Sequence, residues 1–327
     1  MEHLPALASS IPAVLNVQGR LLLPGQEALS SFDRSYLYGD SLYEVVRSYD
    51  GRFLEEQMQG HLDRLEASAR LCAMELGQRP GDYRREMERT LRFFHEQPFG
   101  RDTSGKKLDA YCRIVVSRGV GRIGFGKGQL LSPTLFTIYV QPVDTPSEAA
   151  HQRGLHLQVV ERIRNHPHAL DPAMKSGNYL NNLLAFLEAA KAGFDDALLA
   201  DGEGSLTEGT TFNVFYVRRG IVCTPPLDVG ILDGITRRTV IRLARESRLE
   251  VREVRFTKQR LHEADEVFAT STLKEVMAVT KVDHVKIGGG RPGPITRRLR
   301  KAFQDEIALT LEAERQDDGD AREGGRE

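Results

Sequence analysis

The chain has 327 residues, of which 40% are hydrophobic and 28% charged, and its formal net charge is -1. This length allows two compact lobes with cores of their own, because a single core stops growing near ~250–300 residues. The balanced charge argues against nucleic acid or an anionic membrane as a partner. Apolar runs such as LFTIYV are far shorter than the ~20 residues of a membrane span.

The cysteines and the start of the chain bear on the compartment. Cys72, Cys112 and Cys223 are far apart and lack the paired spacing of a zinc site or a disulfide framework. The second residue is acidic and the start is not cationic, so no signal peptide is expected. We therefore expect a cytoplasmic enzyme that has no metal site.

The first lobe is predicted to contain strands, then helices, then strands again. SLYEVVRSYDGRFL holds two strand-like runs joined by Asp50-Gly51, which is a hairpin signal. An amphipathic helix is predicted next from the three- and four-residue spacing of Leu62, Leu65, Ala69, Cys72 and Leu76. A second helix is predicted over 81–96, and LDAYCRIVVSRG and TLFTIYVQP predict strands around a glycine-rich loop. These elements define an α+β lobe over 1–142, followed by a polar inter-lobe linker at 143–154.

The second lobe is predicted over 155–311. It opens with the strand LHLQVVE and passes through RNHPHALDPAM to a helix that begins near Lys175. One face of that helix is apolar and consists of Tyr179, Leu183, Phe186, Leu187 and Ala190. Short strands are predicted in DALLA, FNVFYV and EADEVFATS, and a turn followed by a helix in ILDGITRRTVIRLARESRL. The charged tail 312–327 is predicted to be disordered, because it contains no aromatic residue and few apolar ones.

Two residues of the second lobe are candidates for chemistry. Lys175 stands before the predicted helix, where either a solvated lysine or a nucleophilic amine is compatible with the sequence. Glu208 follows Thr207 and precedes a glycine, just ahead of an apolar strand. A carboxylate in that position needs a cationic or protonated partner once it is buried.

Two further segments carry candidate phosphate donors. Thr236 lies in the first turn of a helix opened by a glycine turn, where unpaired N–H groups suit either simple capping or an anion. Ser271 and Thr272 follow a predicted buried strand, again as a cap or as phosphate donors. An amine, a buried carboxylate and phosphate donors are together what pyridoxal phosphate requires.

The segment GVGRIG fits the pattern G-x-G-x-x-G after a strand. A dinucleotide-binding fingerprint also needs a helix that begins inside the motif. The continuation FGKGQLLSPT has two more glycines and a proline, so no helix is expected there. We interpret the segment as a surface or active-site loop and keep a nicotinamide dehydrogenase as the rival class.

Six segments in order resemble the class IV (fold type IV) pyridoxal-phosphate aminotransferases. They are YGDSLYEVVR, HLDRLEASA, MKSGNYLNNLLA, LTEGTTFNVF, GILDGITRRTVI and FATSTLKEV. The family includes branched-chain aminotransferases, D-amino-acid aminotransferases and aminodeoxychorismate lyases. The resemblance runs from about Phe32 to Phe303. It implies a homodimer and a two-lobed fold, with a small N-terminal α+β lobe and a larger C-terminal lobe of mixed sheet or barrel flanked by helices.

The resemblance also implies roles for individual residues. Lys175 resembles the Schiff-base lysine, and Glu208 the carboxylate that pairs with the pyridinium nitrogen of pyridoxal 5'-phosphate. The other implied cofactor contacts are Arg64 on the phosphate, Tyr179 on the ring oxygen, Leu232 against the ring face, and Ile235, Thr236, Ser271 and Thr272 as phosphate donors. Tyr43 and Arg122 are expected at the substrate. The loop 118–128 matches a segment that lines the substrate pocket, so Arg122 is either near the α-carboxylate or a second carboxylate such as that of 2-oxoglutarate, or a solvated loop residue.

The implied reaction moves an amino group between an amino acid and a 2-oxo acid such as 2-oxoglutarate. The segment RNHPHALDPAMKSGNYLNN resembles prokaryotic branched-chain enzymes, which favours branched-chain or other hydrophobic L-amino acids. Tyr43, Val45, Phe212 and the triplet Ser271-Thr272-Leu273 depart from that pattern, and YEVV and TST resemble D-amino-acid aminotransferases. D-amino-acid transamination, lyase chemistry and a non-enzymatic carrier of the cofactor therefore stay open.

Overall fold

The computed structural model describes residues 10–126 and 128–323, which form two compact units. Unit 1 comprises the chain up to Asp144 together with Met174–Asn178; unit 2 comprises Thr145–Ala173 and the chain from Tyr179 onward. The short segment that carries Lys175 thus belongs to unit 1, although the sequence places it within the predicted second lobe. Residues 1–9 of the predicted first lobe and 324–327 of the predicted tail lie outside the described residues.

Unit 1 is built on a five-stranded antiparallel sheet in the order β2-β1-β5-β4-β3. Its strands are β1 (Val14–Val17), β2 (Arg20–Leu22), β3 (Ser41–Arg47), β4 (Ala110–Ser117) and β5 (Leu135–Pro142). Its helices are α1 (Arg34–Tyr38), α2 (Glu55–Leu71) and α3 (Pro80–Glu96), with a 3-10 turn at Pro98–Gly100. Alternate β4 residues face a core shared with α2 and α3, because successive strand side chains point to opposite faces.

The turn predicted at Asp50-Gly51 is present. Both residues have positive φ angles, 50° and 78°, and Tyr49 and Arg52 exchange backbone hydrogen bonds of 2.8 and 3.1 Å. Only the first of the two predicted runs forms an extended strand, β3, and the second contributes the isolated bridge at Arg52. The helix predicted after this turn ends at Leu71, before the last two residues of the apolar pattern.

Unit 2 contains a nine-stranded mixed sheet in the order β11-β10-β9-β12-β13-β6-β7-β8, with β14 paired to β13. Its strands are β6 (Leu155–Ile163), β7 (Asp196–Ala200), β8 (Leu206–Gly209), β9 (Asn213–Arg218), β10 (Ile221–Thr224), β11 (Val251–Glu253), β12 (Glu266–Ser271), β13 (Glu275–Val282) and β14 (Val285–Lys286). Its helices are α4 (Glu148–Arg153), α5 (Leu180–Lys191), α6 (Ile235–Glu246), α7 (Lys258–His262) and α8 (Pro294–Glu323), with 3-10 turns at Leu227–Val229 and Gly288–Gly290. Parallel pairs on both sides of β6 and an otherwise largely antiparallel sheet confirm the predicted mixed architecture.

Two segments differ from their sequence-based interpretation. The region predicted as a linker contains α4, which Ser147 caps by accepting a hydrogen bond from the Ala150 N–H. Helix α8 continues to Glu323, through most of the tail predicted to be disordered. The tail begins with Glu312, Ala313, Glu314 and Arg315, which are all strong helix formers, although glutamate and arginine lower mean hydropathy. None of the helices in the described part of the chain is long and apolar enough to cross a membrane.

Helix α5 buries a different face from the predicted apolar one. Its buried residues are Asn182, Ala185 and Ala189, whereas Leu183 and Leu187 are about half exposed. The two alanines pack in a small cluster with β6 and β7 residues. Small side chains let a helix lie close to a sheet, so side-chain size decided the buried face here, and hydrophobicity did not.

Candidate active site

Lys175 lies in a segment of unit 1 that α2 and β3 hold by its backbone. Its N–H donates to Ser68 Oγ at 3.1 Å, and its carbonyl accepts from the Tyr43 N–H at 3.0 Å. Two residues later, the Gly177 N–H donates to the Ser41 carbonyl at 2.7 Å. A side chain at 177 would collide with Ser41 Oγ, so this close approach requires glycine. The backbone that carries the Lys175 amine is therefore fixed on both sides.

The ring of Tyr43 contacts two cations. Lys175 Nζ lies 4.3 Å from the ring centroid and Arg113 Cζ lies 4.0 Å from it. Cations within about 6 Å of an aromatic face are attracted to it. Tyr43 was predicted at the substrate, but Arg113 was not singled out. Strand alternation could have found it, because Cys112 and Ile114 face the core and place Arg113 on the opposite face of the sheet.

Arg64 lies on α2 and is buried in a cluster with Glu44 and His61. Its Nε and Nη2 donate to Glu44 Oε1 and Oε2 at 2.7 and 2.8 Å, and His61 Nδ1 is 2.7 Å from Oε2. Burial by itself would raise the pKa of Glu44, but Arg64 and His61 outweigh it and hold that pKa well below its usual range. Burial lowers the pKa of His61, and its Nδ1 shares a hydrogen bond with the carboxylate. The guanidinium predicted to bind phosphate is thus held along one edge.

Glu208 lies on β8 in unit 2 and is 5% exposed. Its Oε1 accepts from Arg164 Nε and Nη2 at 3.1 and 2.9 Å. Its Oε2 accepts from Asn213 Nδ2 at 3.4 Å and from the Leu232 N–H at 3.1 Å. Arg164 is the cationic partner that a buried carboxylate requires. Sequence reasoning anticipated such a partner without identifying it, because RNHPHALDPAM was considered only as the connection between the strand LHLQVVE and the next helix.

A second layer of hydrogen bonds connects Arg164 to the start of α5. Arg164 Nη1 donates to Asn182 Oδ1 at 3.2 Å, and Asn182 Nδ2 donates to the Thr210 carbonyl at 2.8 Å. The Tyr179 hydroxyl donates to the same carbonyl at 2.7 Å. This network holds Tyr179 beside the ion pair of Glu208 and Arg164. The predicted contact of Tyr179 with the cofactor's ring oxygen stays a proposal.

The N-terminus of α6 has the features of an anion site. The helix begins at Ile235 after Gly234, and no acidic residue lies in its first turn. A side chain at 234 would collide with Asn213 Oδ1, so only glycine lets the two segments approach this closely. Thr236 is buried in the first turn. The first N–H groups of a 12-residue helix carry a partial positive charge that favours a phosphate.

Strand β12 brings further hydroxyl groups into unit 2. Thr270 pairs across the sheet with Asn213, and its Oγ1 is buried without a hydrogen-bond partner among the described residues. Ser271 Oγ accepts from the Lys274 N–H at 3.1 Å, which caps the turn, and Thr272 is half-buried beside it. A buried hydroxyl without a protein partner next to a helix N-terminus fits a bound anion.

Arg122 lies in the loop between β4 and β5 and is exposed. Its N–H donates to the Gln129 carbonyl at 2.8 Å, and Gly121 bridges to Leu130, so this loop is a short hairpin. Among the contacts of the described residues, none brings the Arg122 side chain to Lys175, Tyr43 or Arg64. GVGRIG starts no helix in the structure, as expected from its glycines and proline.

Each unit holds side chains that are capable of binding or catalysis. Unit 1 holds a lysine amine over an aromatic ring and a buried arginine. Unit 2 holds a buried carboxylate balanced by arginine, a glycine-opened helix N-terminus and buried threonine hydroxyls. These groups fit a cofactor with an aldehyde, a basic ring nitrogen and a phosphate, which are the groups of pyridoxal 5'-phosphate. The fold and these groups together indicate an enzyme of the pyridoxal-phosphate class.

Comparison with known proteins agrees with this chemistry. The family model "Amino-transferase class IV" matches residues 41–282. The chain is 35% identical over 289 residues to a Methanocaldococcus jannaschii protein provisionally named a branched-chain-amino-acid aminotransferase, covering 88% of this chain and 94% of that one. It is 32% identical over 289 residues to the D-alanine aminotransferase of Bacillus licheniformis, covering 88% and 95%. The crystal structure of the T.th. branched-chain amino acid aminotransferase in complex with N-(5'-phosphopyridoxyl)-L-glutamate aligns at 28% identity with a TM-score of 0.79, covering 91% and 94%.

The chain belongs to the class IV aminotransferase family, whose cofactor is pyridoxal 5'-phosphate. This confirms the family resemblance, the two-part fold, the enzyme class and the cofactor expected from the sequence. It also removes the nicotinamide dehydrogenase and the non-enzymatic carrier from the alternatives. The roles of the individual site residues are proposals.

Proposed function

We propose that this aminotransferase moves the amino group between a branched-chain or other hydrophobic L-amino acid and a 2-oxo acid such as 2-oxoglutarate. Two relatives whose names specify branched-chain amino acids support the hydrophobic partner. The ligand in the crystal structure of the second relative contains L-glutamate, which supports a dicarboxylate as the other partner. A substrate pair of this kind needs a site that accepts both an apolar side chain and a second carboxylate.

The observation that carries this proposal is the arrangement of Lys175, Tyr43 and Arg113. The amine and the guanidinium both contact one buried aromatic ring, at 4.3 and 4.0 Å from its centroid. The ring offers an apolar surface to a hydrophobic side chain. The guanidinium offers a planar donor pair to a carboxylate. The Tyr43 ring and the Arg113 guanidinium can therefore bind the hydrophobic amino acid and the dicarboxylate in turn.

The residues act as follows in this proposal. When bound, the cofactor supplies an electrophilic aldehyde carbon and an electron-withdrawing ring. The amine of Lys175 would hold the cofactor at its aldehyde carbon and would carry a proton at the substrate α-carbon. Tyr43 limits where the amine can go. Because the backbone of residue 175 is held on both sides, the lysine side chain starts from a fixed point on the protein.

Unit 2 supplies the groups that hold the ring and the phosphate in this proposal. Glu208 would accept a hydrogen bond from the protonated ring nitrogen, and Arg164 balances the charge of the buried carboxylate. Leu232 packs against the ring face and Tyr179 contacts the ring oxygen. Ile235, Thr236, Ser271, Thr272 and Arg64 are the residues that we propose for the phosphate.

D-amino-acid transamination is the second candidate, and the similarity to a D-alanine aminotransferase together with YEVV and TST favours it. A stopped-flow screen separates the two. Each D- and L-amino acid is mixed with the cofactor-loaded enzyme, and loss of the cofactor's visible absorbance is recorded. We expect L-leucine, L-isoleucine and L-valine to react fastest. Faster reaction of D-alanine would assign the second candidate, and release of pyruvate from aminodeoxychorismate would assign the lyase.

Two arginines are expected to recognise different carboxylates of the substrate. Arg113→Ala should raise the KM for 2-oxoglutarate at least tenfold, or ~1.4 kcal/mol, and leave the KM for monocarboxylate 2-oxo acids within threefold. Arg122→Ala should raise the KM for every substrate, because we propose that Arg122 binds the α-carboxylate that all of them share. Steady-state kinetics with both acceptor types checks this. An equal increase in KM for both acceptors in Arg113→Ala would contradict the proposed role of Arg113. Unchanged KM values in Arg122→Ala would show that Arg122 does not bind substrate.

The chain is proposed to form a homodimer, and the exposed face of α5 supports this. Leu180 is 64% exposed, and Leu183, Leu184, Phe186 and Leu187 continue the same uncharged surface. Contiguous apolar surface of this kind is unusual on a monomer. Light scattering should give twice the 36.6 kDa mass of one chain. Leu187→Glu should shift the protein toward monomer, and Leu309→Glu, at an exposed leucine of α8, should not. A single-chain mass for the wild type would contradict the proposal.

Location and domain boundaries complete the proposal. All three cysteines are free, which is compatible with a reducing cytoplasm. Fractionation of cells with an antibody to the chain would test the compartment. We propose that the functional lobes follow the predicted ranges 1–142 and 155–311, except that Met174–Asn178 belongs to unit 1. Limited proteolysis, with first cleavage expected within 143–154, would test these boundaries.

A further inference from the structure

Helix α2 carries a buried polar stripe beside its apolar one. His61, Arg64 and Ser68 are three and four residues apart, so they lie on one face of the helix. All three are buried, at 2%, 8% and 1% exposure. Buried polar groups are costly without partners. Partners of this stripe include Glu44 on β3 and the backbone N–H of Lys175.

The contact between Glu44 and Arg64 fixes an orientation. Nε and Nη2 form one edge of the planar guanidinium, and both donate to the carboxylate, at 2.7 and 2.8 Å. Two parallel charge-assisted bonds define the plane and the direction of the group. The end of the guanidinium formed by Nη1 consequently points away from Glu44.

His61 fixes the carboxylate in turn. Its Nδ1 lies 2.7 Å from Glu44 Oε2, on the oxygen that also accepts from Arg64 Nη2. Glu44 is 1% exposed, so no solvent-facing position is open to it. The carboxylate is bound by two side chains of one helix, which leaves it a single rotamer.

Strand β3 places this cluster next to the lysine. Glu44 directly follows Tyr43, whose N–H donates to the Lys175 carbonyl and whose ring contacts Lys175 Nζ. Adjacent residues of one strand therefore determine the position of the amine and the direction of the guanidinium.

We infer that Glu44 is a positioning residue that aims Arg64 at the cofactor phosphate, an inference that rests on the proposed role of Arg64. Glu44 faces the helix side of the strand, opposite to Tyr43, and contacts the cofactor only through Arg64. Its loss should therefore weaken recognition of the phosphate and spare recognition of the ring and aldehyde.

Binding of pyridoxal 5'-phosphate and of pyridoxal, which lacks the phosphate, separates these effects. Apo-enzyme is titrated with each compound, and the visible absorbance and the borohydride-fixed mass adduct at residue 175 report binding. Glu44→Gln should weaken the affinity for pyridoxal 5'-phosphate at least tenfold and change the affinity for pyridoxal less than threefold. Glu44→Asp, which keeps the charge, should recover part of the loss.

Arg64→Gln and the double variant complete the experiment. Glu44→Gln leaves a buried guanidinium without its counter-charge, so this variant can fail to fold. In that case the double variant Glu44→Gln/Arg64→Gln, which removes both charges, is compared with Arg64→Gln. The double variant should lose no more affinity for pyridoxal 5'-phosphate than Arg64→Gln alone, since Glu44 acts through Arg64. Circular dichroism and thermal melting of each apo-variant report on the fold.

The outcomes are distinguishable. Equal loss for both compounds in Glu44→Gln, or additive losses in the double variant, would overturn the positioning role while leaving the proposed function intact. No phosphate-specific loss in Arg64→Gln would remove Arg64 from the phosphate, and the inference with it. A wild type that forms no adduct at residue 175 would instead contradict the proposed role of Lys175. The difference in affinity between pyridoxal 5'-phosphate and pyridoxal would still test the role of Glu44.

Discussion

Lys175→Ala is expected to lose at least a thousandfold in transamination rate, which corresponds to ~4 kcal/mol of transition-state stabilisation. The change removes both the amine that bonds the cofactor and the group that moves the proton at the substrate α-carbon. The fold should persist, because the contacts that hold residue 175 use its N–H and its carbonyl. Single-turnover kinetics, with circular dichroism of the same sample, measures both effects.

The control for this variant is Lys301→Ala. Lys301 is 75% exposed on α8 and pairs only at the surface with Asp305, so its removal should leave the rate unchanged. A second readout is independent of turnover: borohydride reduction should fix the cofactor on the peptide that contains residue 175 in the wild type and not in Lys175→Ala. A variant that keeps more than about a thousandth of the wild-type rate would show that another group performs the chemistry.

Glu208→Gln should lower the rate of the half-reaction at least a hundredfold, or ~2.7 kcal/mol. The amide has nearly the same shape but no charge, so it cannot keep a ring nitrogen protonated. The nitrogen-15 shift of labelled cofactor should move to the value of an unprotonated ring. The variant should also be less stable, because Arg164 is left buried without its counter-charge, and breaking such a pair costs about 3–5 kcal/mol.

Two further variants separate catalysis from folding. Glu208→Gln/Arg164→Gln removes both charges, so it should recover stability without recovering rate. Glu266→Gln is the matched control, since Glu266 is equally buried in unit 2 but accepts from the Ile295 and Thr296 N–H groups at the start of α8. It should lower the melting temperature and leave the rate of the folded protein unchanged. A rate for Glu208→Gln within threefold of wild type would contradict the proposed role of Glu208.

Much of the fold follows from local sequence patterns. The three- and four-residue spacing of apolar residues predicts α2, and Asp50-Gly51 predicts a turn with two positive φ angles, which is present. These features depend on residues a few positions apart, so they can be predicted from the sequence without the tertiary structure. Local patterns were less reliable in charged segments. The tail was predicted to be disordered, but α8 extends through most of it, because residues that lower hydropathy also favour helix.

The sequence by itself determined the family, the cofactor and the candidates Lys175 and Glu208, because these depend on residue types in short motifs. Only the tertiary structure decided their partners. Arg164 is 44 positions from Glu208, and Arg64 is 20 positions from Glu44, so neither pair leaves a periodic signal. The same applies to Arg113, which reaches Tyr43 because β3 and β4 pair in one register. The cost of burying an unpaired charge makes such partners obligatory, but which residue fills the role depends on how distant segments pack.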